Sequence, residues 1–521
     1  MKPVVDLSKY CSHAMLQQGL CLYESQGITG LRCTQTAEGS WLIKGKCSDS
    51  FNFVSHPWVL SDGTGQKLLD FGCDCLESRD QPGMCVHCVA LCVGWAGKAP
   101  EEPMLPKPII PPEAPIPQTP ACATEEPSGT ADKREIRSME ILLGEDASGN
   151  RVVWHPNDTE QVFHTNTGII GTMGTGKTQF AKSLLTQLYR NRHDNYDGHP
   201  LGILIFDYKG DYNETKQDFI AATQARVLKP YKLPYNPLAL NPGKSFKPLL
   251  PMHTANEFKD TISQIYNLGP KQQYLLLECI VSAYRKQGID PDNPGTWARR
   301  APTPEQVYRI LSEKMQGKPV DKLMTAMGKL HQFCLFEDDP RRAVSLDQLL
   351  NGVVVIDISG YDSDIQSMVV AITLNQFYAR MHAQGSSPTD GKYRQLRKFI
   401  MVDEADTFMD QPLPSLRRIM KEGREFGVGV ILSTQSLEHF VGSEDDYSRY
   451  VLTWVVHNVG DLKQKDVENL FRLPPKSPES AHGYAAIRKL QKHESVVKLG
   501  NANPVAIRNH AFYQLYQQLQ D

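Results

Sequence analysis

The chain has 521 residues, of which 40% are hydrophobic and 22% charged, and its formal net charge is −3. This length predicts two or more domains with cores of their own, and the charge excludes a protein that is basic over its whole surface. The first residues lack the apolar core of a signal peptide, and no stretch approaches the ~20 apolar residues of a membrane span. We therefore expect a cytoplasmic protein that does not bind a membrane.

The N-terminal segment is rich in cysteine, since nine of the twelve cysteines lie at or before Cys92. In a reducing compartment such a cluster favours metal binding over disulfides. Residues 40–54 alternate like small antiparallel strands, and residues 85–95 have the pattern of a helix. We expect residues 1–97 to form a small α+β domain.

Two close pairs of ligand residues stand in this segment. Cys73-x-Cys75, nine residues and Cys85-x-His87 suit a closed tetrahedral zinc site, which is structural rather than catalytic. The pattern resembles the SWIM zinc finger, which implies DNA or protein binding. Cys88 is an alternative ligand. The alternative to a metal site is a chance cluster of reduced cysteines in the core.

Residues 98–137 are predicted to be a linker. Ten prolines between residues 100 and 127 exclude both helix and sheet, so this stretch is expected to be an extended tether. It is either a passive spacer or a docking site for a proline-binding partner. It separates residues 1–97 from a large domain, residues 138–521.

A phosphate-binding loop opens the large domain. The pattern G-x-x-x-x-G-K-[ST] is met by Gly171, Thr172, Met173, Gly174, Thr175, Gly176, Lys177 and Thr178. The glycines allow backbone N–H groups to surround a phosphate, Lys177 reaches the β- and γ-phosphates, and the Thr178 hydroxyl can ligate Mg²⁺. A strand at residues 168–170 precedes the loop and an amphipathic helix follows it, so we expect ATP to bind at the helix N-terminus.

The rest of the large domain alternates strand and helix signals, which predicts a largely parallel α/β sheet. Buried strands are expected at residues 201–206, 352–356, 399–402 and 428–432. Residues 252–350 read as an all-helical insertion, with helices at 272–286, 304–315 and 320–333.

Four polar residues are the candidates for hydrolysis. Asp403 and Glu404 end an apolar strand, where Asp403 would hold Mg²⁺ and Glu404 would polarise the attacking water. Gln435 ends the next strand and is placed to sense the γ-phosphate. Arg424 precedes that strand and can reach a nucleotide in a neighbouring subunit, although a surface salt bridge with Glu422 or Glu425 is the alternative.

The order of these motifs resembles the HerA/FtsK class of ring ATPases, whose relatives include conjugative coupling and type IV secretion ATPases. The resemblance spans residues 138–521 and implies a RecA-like core that hydrolyses ATP with Mg²⁺. It also implies that Arg424 is an arginine finger, which acts on the nucleotide of a neighbouring subunit, and that Gln435 is catalytic. Shorter stretches at 233–238, 268–273, 335–336 and 353–357 are similar to the ATPase of phosphorothioation-dependent DNA restriction. Residues 1–97 depart from that component.

The function expected first is therefore a hexameric, ATP-driven motor or helicase that moves or remodels duplex DNA and acts with a nuclease or other effector. The alternative is an ATP-gated recognition switch without translocation. An ATPase that moves protein ranks last, because the chain carries no membrane or lipidation signal. Three basic clusters, at 299–300, 341–342 and 394–398, either face DNA or are solvated surface.

Overall fold

The chain divides into two compact units, Met1–Pro127 and Ser128–Asp521. The computed structural model describes Leu7 and residues 28–36, 40–48, 54–55, 57–62, 67–73, 84–97 and 138–520, apart from 244–245, 340, 406–412, 441–445 and 461. The predicted linker at 98–137 lies outside the described residues.

The smaller unit is an antiparallel sheet that packs against one helix. Its strands pair in the order β1-β2-β4-β5, and β3 pairs with β2. Their bounds are β1 Ile28–Gln35, β2 Trp41–Ser48, β3 Val54–Ser55, β4 Trp58–Ser61 and β5 Leu68–Gly72, and helix α1 is Val86–Gly97. Ile43 and Val59 of the sheet pack with Val89 and Leu91 of the helix in one core. The predicted antiparallel strands and the helix are confirmed.

The larger unit is built on an eleven-stranded sheet. Its order is β10-β11-β9-β12-β13-β8-β14-β15-β16-β6-β7. The strands are β6 Ile141–Asp146, β7 Arg151–Trp154, β8 Thr167–Ile170, β9 Gly202–Asp207, β10 Arg226–Leu228, β11 Val353–Asp357, β12 Lys398–Val402, β13 Val428–Thr434, β14 Thr453–Val456, β15 Glu494–Leu499 and β16 Val505–Asn509. Across the sheet from β10 to β14, each strand is parallel to its neighbour. From β14 across to β7, neighbouring strands are antiparallel. The sheet is thus mixed, with a parallel core as predicted.

The central strands are buried on both faces because they are continuous apolar runs, which is typical of parallel sheets covered by helices. Alternate residues of β9 serve two separate cores: Leu204 and Phe206 lie in one, and Ile203 and Ile205 in the other. The helices are α2 Lys177–Arg190, α3 Gln217–Thr223, α4 Leu250–Tyr266, α5 Pro270–Lys286, α6 Pro304–Met315, α7 Lys322–Gln332, α8 Leu346–Leu349, α9 Ser363–Gln384, α10 Pro414–Glu422, α11 Gln464–Phe471, α12 Pro478–Lys489 and α13 Phe512–Gln518.

The segment between β10 and β11 is helical, as predicted. It contains α4 to α8, and α6 begins and ends where the sequence predicts. Thr303 precedes Pro304 at the start of α6, and the backbone N–H of Thr303 donates to the side-chain oxygen of Gln306, which closes the first turn. Within the described ranges, no helix is long and apolar enough to cross a membrane.

Candidate nucleotide site and cysteine cluster

Four neighbouring parallel strands bring most of the predicted catalytic residues to one edge of the large sheet. Strands β9, β12, β13 and β8 are adjacent in that order, so their carboxyl ends share this edge. Backbone bonds join the segments that follow them: Ala405 N–H donates to Ser433 O at 2.8 Å, and Gly171 N–H donates to Thr434 O at 3.2 Å. The phosphate loop, the acidic pair and Gln435 therefore form a single site, as open α/β sheets place ligands beyond their carboxyl edges.

The phosphate loop spans the gap between β8 and α2. Gly174 and Gly176 have φ angles of +81° and +103°, which turn the loop where other residues would be strained. Gly176 is also the N-cap of α2, and no side chain caps this end of the helix. The first-turn N–H groups are consequently left to bind an anion. Lys177 is buried, and its Nζ donates to Gly171 O at 2.5 Å.

Two histidines lie against the loop. His493 donates its backbone N–H to Thr175 O at 3.0 Å, and a Cβ on Gly176 would lie 2.6 Å from His493 Nδ1. His457 is fully buried beside Gly171, and burial lowers the pKa of its imidazole to about 3. The sequence carries no signal for either histidine, because His457 follows β14 and His493 precedes β15, so each reaches the loop only through the order of strands in the sheet.

Asp403 and Glu404 differ in their surroundings. Asp403 is 3% exposed, and burial raises its pKa to about 6, with the charge of Glu404 adding to the rise. A carboxylate that is costly to ionise in the absence of a cation has the chemistry of a metal ligand. Burial alone would also raise the pKa of Glu404, but hydrogen bonds from Gln435 and Lys209 keep it below its ordinary value. Glu404 is thus held ionised, as a base must be.

Both oxygens of the Glu404 side chain have a partner. Gln435 Nε2 donates to Oε2 at 2.8 Å, and Lys209 Nζ lies 2.5 Å from Oε1. The structure therefore places Gln435 against the acidic pair. Lys209 is a further residue of the site. It lies in the loop that follows β9, and the sequence does not show its contact with Glu404.

Arg424 does not join its own chain's nucleotide site. It precedes β13, whereas Gln435 follows β13, so the two residues lie at opposite edges of the sheet. The six residue steps of this strand span roughly 20 Å at ~3.3 Å each, which exceeds the reach of an arginine side chain. The Arg424 guanidinium lies 5.7 Å from the centre of the Phe163 ring, which is half-exposed.

The predicted salt-bridge alternative for Arg424 is not formed among the described residues. Glu422 accepts hydrogen bonds from Tyr378 Oη at 3.0 Å and pairs with His382, and Glu425 accepts from Ser386 Oγ at 2.7 Å. Burial, followed by the positive charge of Arg424, lowers the pKa of the neighbouring His164 to about 4. Arg424 thus keeps a charge that no carboxylate within the described ranges neutralises.

The basic residues of the cluster at 394–398 are partly buried and bond to backbone carbonyls of the fold. Arg394 Nη1 donates to Glu425 O at 3.2 Å, Arg397 Nη1 donates to Gly385 O at 2.6 Å, and Lys398 Nζ donates to Leu350 O at 2.9 Å. These charges are used inside the fold, where burial lowers the pKa of Lys398 to about 8. The DNA-facing interpretation of this cluster stays a prediction.

The cysteine cluster lies in the smaller unit. One ligand atom from each of Cys73, Cys85 and His87 falls within 4.8 Å of the others. Ligands of a tetrahedral zinc with ~2.3 Å bonds stand roughly 3.8 Å apart, so this spacing fits a metal. Cys75, the fourth predicted ligand, lies outside the described residues. Hydrogen bonding with Cys73, and then with Cys88, lowers the pKa of Cys85, so Cys88 belongs to the same cluster.

Comparison with known proteins supports the predicted class of the larger unit. Residues 156–377 match the family described as the central domain of the helicase HerA. No curated protein shows significant sequence similarity to the chain.

Its fold is shared with a solved structure. VirB4 of Thermoanaerobacter pseudethanolicus is 18% identical, with a TM-score of 0.54 over 72% of this chain and 98% of that chain. The plasmid coupling protein TrwB, in complex with ADP and Mg²⁺, is 14% identical, with a TM-score of 0.42 over 66% of this chain and 85% of that chain. The family match and the fold shared with VirB4 support a RecA-like, HerA-type P-loop core with ATPase activity.

Proposed function

We propose that this chain is an ATP-driven DNA translocase whose subunits form a ring, with six subunits expected from the resemblance to the HerA/FtsK class. The observation that carries this proposal is the separation of Arg424 from the phosphate loop of its own chain. Arg424 cannot reach the nucleotide site of its own chain, so as a cation for the transition state it would act on the site of a neighbouring subunit. The match to the HerA central domain supports DNA as the substrate.

The residues of the carboxyl edge fit ATP and Mg²⁺. The loop 171–178 offers backbone N–H groups and the Lys177 ammonium to the phosphates, and Thr178 and the buried Asp403 are the oxygen ligands for Mg²⁺. Bound MgATP supplies the phosphoanhydride bond that is broken. Glu404 orients and polarises the attacking water, and Gln435, which already contacts Glu404, links that carboxylate to the γ-phosphate.

The finger role of Arg424 follows from charge and position. Its guanidinium is held over a half-exposed aromatic ring, where it is only partly desolvated and available to a neighbouring chain. The charge that develops on the transferred phosphoryl group is negative, so a cation from the adjacent subunit lowers the barrier. Hydrolysis then depends on correct assembly of the ring, which is the coupling a motor needs.

The smaller unit is proposed to bind Zn²⁺ through Cys73, Cys75, Cys85 and His87. Three of these ligands are gathered in the structure, and the donor set of thiolates and an imidazole is that of a closed structural site. Such a site stabilises a small sheet-and-helix unit that has a modest core of its own. We assign this unit the recognition of DNA or of a protein partner, as the resemblance to SWIM domains implies.

The setting proposed for the motor is DNA processing or restriction together with a nuclease or other effector. This proposal rests on the short similarities to the ATPase of phosphorothioation-dependent restriction. Identifying the proteins that copurify with the tagged chain tests it, and a nuclease is the expected partner.

The motor is tested by measuring ATP hydrolysis with and without duplex DNA, together with displacement of streptavidin from biotinylated DNA ends. Glu404→Gln is the control, because it removes the base and leaves the nucleotide site in place. We expect DNA to stimulate hydrolysis and the wild-type protein alone to displace streptavidin. Binding without displacement would favour the ATP-gated switch, and indifference to DNA would contradict both.

A further inference from the structure

The loop that follows β9 is fixed beside the catalytic pair. Asp207 is fully buried at the end of β9, and its side chain accepts hydrogen bonds from the backbone N–H groups of Lys209, Gly210, Asp211 and Tyr212, at 2.8–3.3 Å. One carboxylate with four backbone donors holds the loop in a single conformation. The loop is therefore a rigid support for the side chains it carries.

This support places Lys209 next to Glu404. Strands β9 and β12 are adjacent and parallel, with Phe206 opposite Val402, so the residues that follow them lie side by side. Lys209 Nζ lies 2.5 Å from Glu404 Oε1, while its own side chain is 43% exposed and that of Glu404 only 10%. A half-exposed lysine thus reaches inward to a nearly buried carboxylate.

Glu404 needs such support. Its φ angle is +52°, a left-handed conformation that costs a residue other than glycine about 1 kcal/mol or more. Asp403 is its neighbour, and Asp207 and Asp357 end the two strands beyond it, so several negative charges meet at this edge. Without a nearby cation the Glu404 carboxylate would be repelled from the position in which it contacts Gln435.

We propose that Lys209 is a positioning residue for hydrolysis, which acts through Glu404. Lys209 and Gln435 each occupy one lone pair on a different oxygen of the carboxylate, which fixes its plane and leaves a second lone pair on each oxygen for the attacking water. The inference rests on the proposed role of Glu404 as the base. The alternative role for Lys209 is direct contact with the γ-phosphate.

The two roles separate in kinetics. A lysine that acts through Glu404 affects the chemical step and not nucleotide affinity, whereas a phosphate ligand affects affinity. We expect Lys209→Met in the full-length protein to lower kcat by about 10- to 100-fold, the loss typical of a misplaced catalytic group. KM for ATP, and the Kd of ATP measured by titration, should stay within about twofold of wild type. Lys209→Arg should restore most of the rate, because it keeps a cation that can reach Oε1.

Lys229 provides the matched control. It lies at the same sheet edge, is 51% exposed, and pairs with Glu214 and Asp357 at 3.5 Å rather than with Glu404. Lys229→Met removes the same charge and should leave kcat close to that of wild type. An equal loss of kcat in Lys209→Met and Lys229→Met would mean that any positive charge at this edge has the same effect, and it would overturn the inference.

A double-mutant cycle completes the test. In a Glu404→Gln background, measured under single turnover, Lys209→Met should cause no further loss, because its effect passes through the carboxylate. The positioning role would be refuted if the rate losses of the two substitutions multiplied in the double variant. It would also be refuted if Lys209→Met weakened ATP binding and left kcat unchanged. If Glu404→Gln alone hydrolyses ATP at the wild-type rate, the proposed function of Glu404 fails instead, and the two failures are distinguishable.

Discussion

Gly176 combines a positive φ angle with a close neighbour, and replacing it by alanine gives a quantitative test of the loop geometry. At φ +103° an L-residue is strained by about 1–2 kcal/mol. The new Cβ would also lie 2.6 Å from His493 Nδ1, a contact that His493 must move to relieve. Overpacking of this kind costs about 1–3 kcal/mol.

The strain should appear in nucleotide affinity. Residues 172–174 are exposed, so an empty loop can relax locally, and ATP must then restore the strained form. A combined cost of about 2–5 kcal/mol predicts ATP binding weakened by at least about thirtyfold. The measurement is titration calorimetry with ATP in a Glu404→Gln background, which prevents turnover.

Gly174→Ala is the matched control. Gly174 also has a positive φ, +81°, but no atom lies within 4 Å of its added Cβ. Only the backbone strain applies to Gly174→Ala, so its ATP affinity should fall by about five- to thirtyfold. Adding His493→Ala to Gly176→Ala should recover part of the larger loss, because the contact is then removed. Equal affinities for the two single variants and wild type would refute this account of the loop.

Three further predictions concern turnover, metal and acid stability. Lys177→Ala and Glu404→Gln should both abolish steady-state hydrolysis and leave at most the slow residual rate that single-turnover measurements detect, but only Glu404→Gln should retain ATP in a filter-binding assay, since Lys177 is proposed to bind the phosphates. Cys73→Ser should remove bound zinc, which is measured by metal analysis of the purified chain. ATP hydrolysis without DNA should stay unchanged, because the cysteine cluster and the nucleotide site lie in separate units. Absence of zinc from the purified wild-type protein would contradict the proposed zinc site. Burial lowers the pKa of His457 to about 3 in the folded protein, below its value of about 6.5 in the unfolded chain. The contribution of His457 to the free energy of unfolding is therefore undiminished above pH 6.5, and that free energy falls by about 1.4 kcal/mol for each pH unit below it. His457→Leu should flatten that dependence in urea unfolding between pH 7.5 and 5.5, and identical slopes would contradict the burial of a neutral imidazole.

The sequence predicts the parallel core well because most strands there are apolar runs that end at, or just before, a polar residue. Strands β9, β11, β12 and β13 follow this rule, and the acids at the ends of β9, β11 and β12 meet at one edge. Helix α6 was predicted to the residue because Thr303, Pro304 and Gln306 mark its start.

Strands β14 to β16, β6 and β7 are not predicted from the sequence; β14 pairs in parallel with β8 and antiparallel with β15, and the others pair antiparallel. β16, for example, has an irregular burial pattern, so neither a continuous apolar run nor a clean alternation marks it. These strands carry His457 and His493 to the phosphate loop. Contacts between residues far apart in sequence, such as Lys209 with Glu404 or Arg394 with Glu425 O, depend on strand order, which residue patterns alone do not give.

The central claim is that each nucleotide site is completed by Arg424 of a neighbouring subunit. The most direct measurement mixes two inactive proteins, Arg424→Ala and Glu404→Gln, at varied ratios and follows ATP hydrolysis. In a mixed ring, a subunit with an intact Glu404 can sit beside a subunit with an intact Arg424, so the account predicts activity that peaks at intermediate ratios. No activity at any ratio, with ring assembly verified by light scattering, would contradict a finger that acts in trans.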